Sequence, residues 1–163
     1  MGRKRKKLPV VERLEIIDVG AEGKSIAKHN DVVVFVTQVI PGDIVDVQLT
    51  RKRKNYLEAF PVKFHKYSED RENPFCKHFG VCGGCKWQNL PYEKQLFYKQ
   101  KQVIDQLKRI GNLSDNELDS LSPILPSPKT THYRNKLEFT FSNNRWITKE
   151  ELESGADIID RNA

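Results

Sequence analysis

Val32-Val33-Val34-Phe35-Val36, then Pro41-Gly42-Asp43, then Ile44-Val45-Asp46-Val47-Gln48-Leu49 succeed one another in the first half of the chain. The first run is wholly β-branched or aromatic and reads as a buried strand. Proline and glycine are placed for the two central positions of a turn. The third run partly alternates apolar and polar residues, as a half-buried strand does. Working outward, Leu14–Val19 and Ser25–Lys28 read as two earlier strands, with Gly20 and Gly23 opening a loop between them and His29-Asn30-Asp31 forming a turn. Tyr56–Val62 reads as the last strand. About five short strands without a helix suggest a small OB-like barrel in a first domain, residues 1–66.

Charge separates this domain from the remainder of the chain. The net charge is +6. Residues 1–66 hold 14 Lys/Arg against 8 Asp/Glu, whereas residues 67–163 hold 14 of each, so the whole excess lies in the first domain. Two clusters produce it, Arg3-Lys4-Arg5-Lys6-Lys7 and Arg51-Lys52-Arg53-Lys54. Dense cations of this kind bind phosphate backbones by releasing condensed counterions. The bland alternatives are a solubilising tail and a charged hairpin tip.

All three cysteines fall within Cys76-Lys77-His78-Phe79-Gly80-Val81-Cys82-Gly83-Gly84-Cys85-Lys86-Trp87-Gln88. An odd number of thiols leaves one without a disulfide partner, and clustered unpaired thiols suit a reducing cytoplasm. The C-x5-C-x2-C spacing, with flexible Gly83 and Gly84, suits a soft metal centre. Zinc would need a fourth donor such as His78, and an iron–sulfur cluster a distant fourth ligand; the spacing favours the cluster.

This segment through Gln100, together with Tyr133-Arg134-Asn135-Lys136-Leu137-Glu138-Phe139, resembles the bacterial RNA uracil-C5 methyltransferases that carry an N-terminal TRAM domain. The resemblance covers essentially the whole chain and is nearest to the 23S rRNA type. It implies that the barrel is a TRAM domain that binds RNA. It also implies a 4Fe-4S cluster on Cys76, Cys82 and Cys85, with RNA contacts from Tyr133, Arg134 and Lys136, beside those that charge alone predicts for Arg51, Lys52, Arg53 and Lys54. The family has a fourth cluster cysteine, and no residue here matches it. The family's S-adenosylmethionine pocket and nucleophilic cysteine lie in a Rossmann-like domain with no counterpart in these residues. No catalytic residue is therefore assigned, and the chain alone is expected to be inactive in methyl transfer.

Residues 67–163 are expected to form the second, incomplete cluster-binding domain. Residues 67–75 read as a linker. Pro91 opens a helix ended by Gly111, whose stripe of Leu96, Phe97, Val103, Ile104, Leu107 and Ile110 reads as core. Trp87 reads as shielding or core rather than a base-stacking platform. Residues 112–132, with Pro123, Pro126 and Pro128, read as a loop. Lys136–Ser142 alternates like a strand and, through Asn143-Asn144, makes a hairpin into Arg145-Trp146-Ile147; Thr148–Ala163 is an acidic end that forms a short helix or frays. The fold class is α+β. The expected partner is RNA, ribosomal by resemblance, with no membrane contact and a monomeric state. A radical methylthiotransferase is disfavoured, since it spaces its cysteines C-x3-C-x2-C and carries its TRAM domain at the other end. The other competing reading is a self-contained zinc-containing RNA-binding protein without enzymatic activity.

Overall fold

The computed structural model describes residues 8–81, 83–132, 141–148, 151 and 154. Five strands, β1 (Val10–Val19), β2 (Ser25–His29), β3 (Val32–Val36), β4 (Ile44–Lys52) and β5 (Tyr56–Lys66), precede two helices, α1 (Tyr92–Arg109) and α2 (Asp115–Asp119). The strands close into a barrel in the order β1-β2-β3-β5-β4. Among these five strands, only the β3–β5 pairing is parallel. This is the five-stranded OB arrangement expected from the sequence.

Local chemistry explains the corners. Asn30 and Asp31 both adopt positive φ, 49° and 61°, the geometry of a two-residue hairpin loop whose twist matches its strands. Gly42 sits at φ +92°, and Asp43 N–H donates to the Ile40 carbonyl at 3.1 Å. β1 shifts register between Val11 and Leu14, with Arg13 at φ 49°. Its backbone N–H, turned from the ladder, donates to Asp46 Oδ1 at 2.8 Å. His65 Nε2 lies 2.6 Å from the same oxygen. Arg13's amide first, then His65, hold the Asp46 carboxyl below its ordinary value of 3.8.

The barrel core is Leu14, Ile16, Ala27, Val34, Val36, Val45, Val47, Leu57 and their neighbours. Alternation is strict on β3: Val34 and Val36 point inward, while Val33 and Phe35 are half-buried on the outside. The expectation that this whole run is buried is therefore corrected. In a barrel every second residue faces out, however apolar the run.

The chain divides into two compact units, Met1–Pro126 and Ser127–Ala163. Within the first, the segment after β5 is fastened to the barrel. Asp43, fully buried, receives the Ser68 N–H at 2.9 Å and the Arg71 guanidinium on both oxygens. Gln38 Nε2 donates to the Gly80 carbonyl at 2.6 Å. Lys101 on α1 pairs with Asp18 on β1 at 2.6 Å.

Helix α1 begins and ends as expected, but its stripe is not core. None of its residues is fully buried, and Phe97, Val103 and Ile110 are exposed. An amphipathic stripe states a preference for apolar neighbours; burial also requires an apolar surface opposite. Here α1 is fastened to the barrel through the polar Lys101–Asp18 pair, and Leu96, Ile104 and Leu107 are half-buried. The 112–132 region holds α2 rather than only loop. Ser114 and Glu117 form its capping box, and Leu118 is buried beneath it. The expected strand at Lys136–Ser142 lies almost wholly outside the described residues. In the second unit, Thr148 and Glu151 exchange hydrogen bonds, and Arg145 pairs with Glu151 at 2.8 Å.

Candidate nucleic-acid interface and cysteine centre

The basic cluster Arg51-Lys52-Arg53-Lys54 occupies the β4–β5 corner. All four residues are exposed. Arg53 N–H donates to the Tyr56 carbonyl at 2.9 Å, tightening the turn. Arg51 stands opposite Glu58 and pairs with it at 3.7 Å. Lys52, Arg53 and Lys54 have no ion-pair partner among the described residues. The β4–β5 loop, with the outer face of β2 and β3, is where OB folds take oligonucleotides.

That outer face is built by register. Ile26 lies opposite Phe35, Lys28 opposite Val33, Val33 opposite Tyr56 and Phe35 opposite Glu58. All point away from the core. Phe35 and Tyr56 meet edge to face with centroids 5.4 Å apart. A half-buried aromatic pair is thus set between exposed Lys28 and the cationic corner. Aromatic side chains on which bases can stack, set beside cations, are the usual platform for single-stranded nucleic acid.

The cysteine loop lies against the other end of the β1–β2 connection. A Cβ on Gly23 would meet Lys86 Cβ at 2.7 Å and Trp87 Nε1 at 3.0 Å, and Gly23 itself has φ +71°. Trp87 is half-buried there, with Lys99 Nζ 6.0 Å from its ring centroid. Cys76 is half-buried and Cys85 exposed, and both are free thiols. Gly83 turns at φ +72° and has open space where a side chain would stand. Cys82 lies outside the described residues, as do Tyr133, Arg134 and Lys136. Among the described residues no three acidic, histidine or cysteine side chains form a metal-holding group; two of the three cysteines are in that set.

Residues 10–62 match the TRAM domain family. The barrel is a TRAM domain. The chain is 58% identical over 145 residues to a protein of Bacteroides thetaiotaomicron named as an uncharacterized RNA methyltransferase, covering 89% of this chain and 31% of that protein. A similarly named protein of Porphyromonas gingivalis is 47% identical over 140 residues, covering 86% and 30%. The 23S rRNA (uracil(1939)-C(5))-methyltransferase of Francisella tularensis subsp. novicida is 36% identical over 139 residues, covering 83% and 30%. The chain thus spans about 30% of the length of these relatives.

On the TRAM barrel, the sequence points to the cationic corner but not to Phe35, Tyr56 or Lys28. The signal that could have found them is periodicity: positions two apart in a barrel strand share a face, so Val33 and Phe35 must face outward once Val34 and Val36 face in. No helix among the described residues is long and apolar enough to cross a membrane.

Proposed function

We propose that this chain is the RNA-binding and cluster-binding part of an S-adenosylmethionine-dependent RNA uracil-C5 methyltransferase acting on 23S rRNA, in a reducing cytoplasm. The observation that carries the reading is the cationic β4–β5 corner beside the Phe35–Tyr56 pair on a TRAM barrel. Similarity to proteins named as RNA methyltransferases supports the reaction class, and the relative named for 23S rRNA supports the substrate.

The chain's own residues have a division of labour in this reading. Lys52, Arg53 and Lys54 hold phosphates, Phe35 and Tyr56 stack an unpaired base, and Tyr133, Arg134 and Lys136 add contacts from the second unit. Single strands splay their bases onto aromatic side chains in this way. Methyl donor and nucleophile belong to the portion of such an enzyme that this chain does not span. Cys76, Cys82 and Cys85 would hold a 4Fe-4S cluster. Free thiols at Cys76 and Cys85 and the open glycine turn between them fit that group. Bound there, the cluster would cross-link a loop that has little core of its own.

The test is RNA affinity of the full chain against salt. The Arg53→Ala, Lys54→Ala double variant should bind a single-stranded rRNA segment more weakly. Its log–log salt slope should be shallower by roughly one for each phosphate no longer neutralised. Unchanged affinity and slope would reject the assignment of this corner to RNA.

A further inference from the structure

The side chain of Gln88 joins two of the cysteines. Its Oε1 accepts the backbone N–H of Cys76 at 3.2 Å. Its Nε2 donates to Cys85 Sγ at 3.1 Å. The amide orientation is set by chemistry, because a backbone N–H can only donate and so must face the carboxamide oxygen. The NH2 end is thereby turned toward sulfur. The link spans twelve residues on one side and three on the other, and so crosses the whole C-x5-C-x2-C loop.

We infer that Gln88 is a positioning residue for the cysteine-ligated centre: it holds Cys76 and Cys85 in ligating register and withdraws charge from the Cys85 sulfur. The inference rests on the cluster reading above. Partners beyond the ligands orient those ligands and tune the metal, and their loss typically weakens metal binding by about 10- to 100-fold. A hydrogen bond to a ligand sulfur favours the reduced, more negative cluster, so it raises the reduction potential. Gln88 is half-buried and stands outside the barrel core. Its replacement should therefore leave the barrel intact.

The experiment uses the full chain, reconstituted without air with ferrous iron, sulfide and an external thiol able to fill a fourth ligand position. Parent, Gln88→Met and Gln88→Glu are compared by iron and sulfide per chain, iron loss to a chelator and reduction potential. The parent should hold iron with sulfide. Gln88→Met, which loses both hydrogen bonds, should release iron about 10-fold faster and have a more negative potential. Gln88→Glu keeps the acceptor for Cys76 but sets a carboxylate against sulfur, so its potential should also fall. A merely mechanical link would leave Gln88→Glu at the parent potential, and that result overturns the electronic part of the inference. Iron and sulfide in the parent with both variants unchanged overturns the inference alone. Zinc or no metal in the parent overturns the cluster reading and the inference with it.

Discussion

Asp43 and Arg71 form a buried ion pair that fastens the cysteine-bearing segment to the barrel. The Asp43 side chain is fully buried, and that of Arg71 is 21% exposed. The guanidinium carbon lies 5.2 Å from the Phe64 ring centroid and 5.3 Å from that of Tyr67. Those two rings stack on each other at 4.8 Å. Asp43 also accepts the backbone N–H groups of Ile40 and Ser68, so one carboxylate ties a turn, the strand exit and the linker together.

Removing Arg71 leaves the Asp43 charge buried with no cation beside it, held only by the backbone N–H groups of Ile40 and Ser68. Arg71→Ala should cost about 3–5 kcal/mol of unfolding free energy. Arg71→Lys should recover only part of this, because an ammonium cannot make the two-pronged contact or stack on the rings. Denaturant unfolding of the three proteins checks both; an Arg71→Ala loss below about 1 kcal/mol, the range of exposed pairs, would contradict the pair's role.

Asp46 gives the barrel an acid-side dependence. Its carboxyl is lowered from 3.8, first by the Arg13 amide and then by His65. The stabilisation is present above the unfolded-chain value and is lost as the pH falls through the lower folded value. Asp46→Asn should therefore show less loss of melting temperature between neutral pH and pH values below 3.8 than the parent shows. Parallel melting curves over this range would show that Asp46 carries none of the acid-side dependence.

Lys101 bridges the barrel to α1 through Asp18 at 2.6 Å and continues to Asp105 at 3.2 Å. Lys101→Met should loosen the helix while leaving the barrel folded, at a cost of up to about 1 kcal/mol for a partly exposed pair. Hydrogen exchange should quicken in Tyr92–Arg109 and stay constant in the strands. Equal protection of the helix in both proteins would count against this tie.

Much of this fold is legible in the sequence, for reasons that name its failures. All five strands are readable because β-branched runs and turn residues coincide, as at Val32–Val36 and Pro41-Gly42. The length of β5 is not, since Lys63–Lys66 owes its strand conformation to pairing with β4. The stripe on α1 misleads because periodicity reports a face, not what covers it. Helix α2 escapes the loop reading of 112–132 although Ser114 and Glu117 spell a capping box. The cationic run is visible, but its position beside Phe35 and Tyr56 depends on the parallel β3–β5 pairing. The Gln88 link to Cys85 is likewise a product of loop geometry, which spacing alone does not encode.

Phe35 separates stacking from charge. Phe35→Ala should weaken binding of single-stranded RNA by roughly 1–3 kcal/mol, the value of one base–aromatic stack. Its salt slope should match the parent, because every phosphate keeps its cation. Affinity unchanged in this variant would remove the aromatic pair from the interface.

RNA binding on the outer face of the barrel is tested most directly by amide chemical-shift mapping of the full chain titrated with a uridine-containing single-stranded rRNA segment. Binding there predicts perturbations clustered at Lys28, Val33, Phe35, Tyr56 and residues 51–54. Perturbations absent from this face, or confined to β1 and the Ile44–Val47 half of β4, would contradict it.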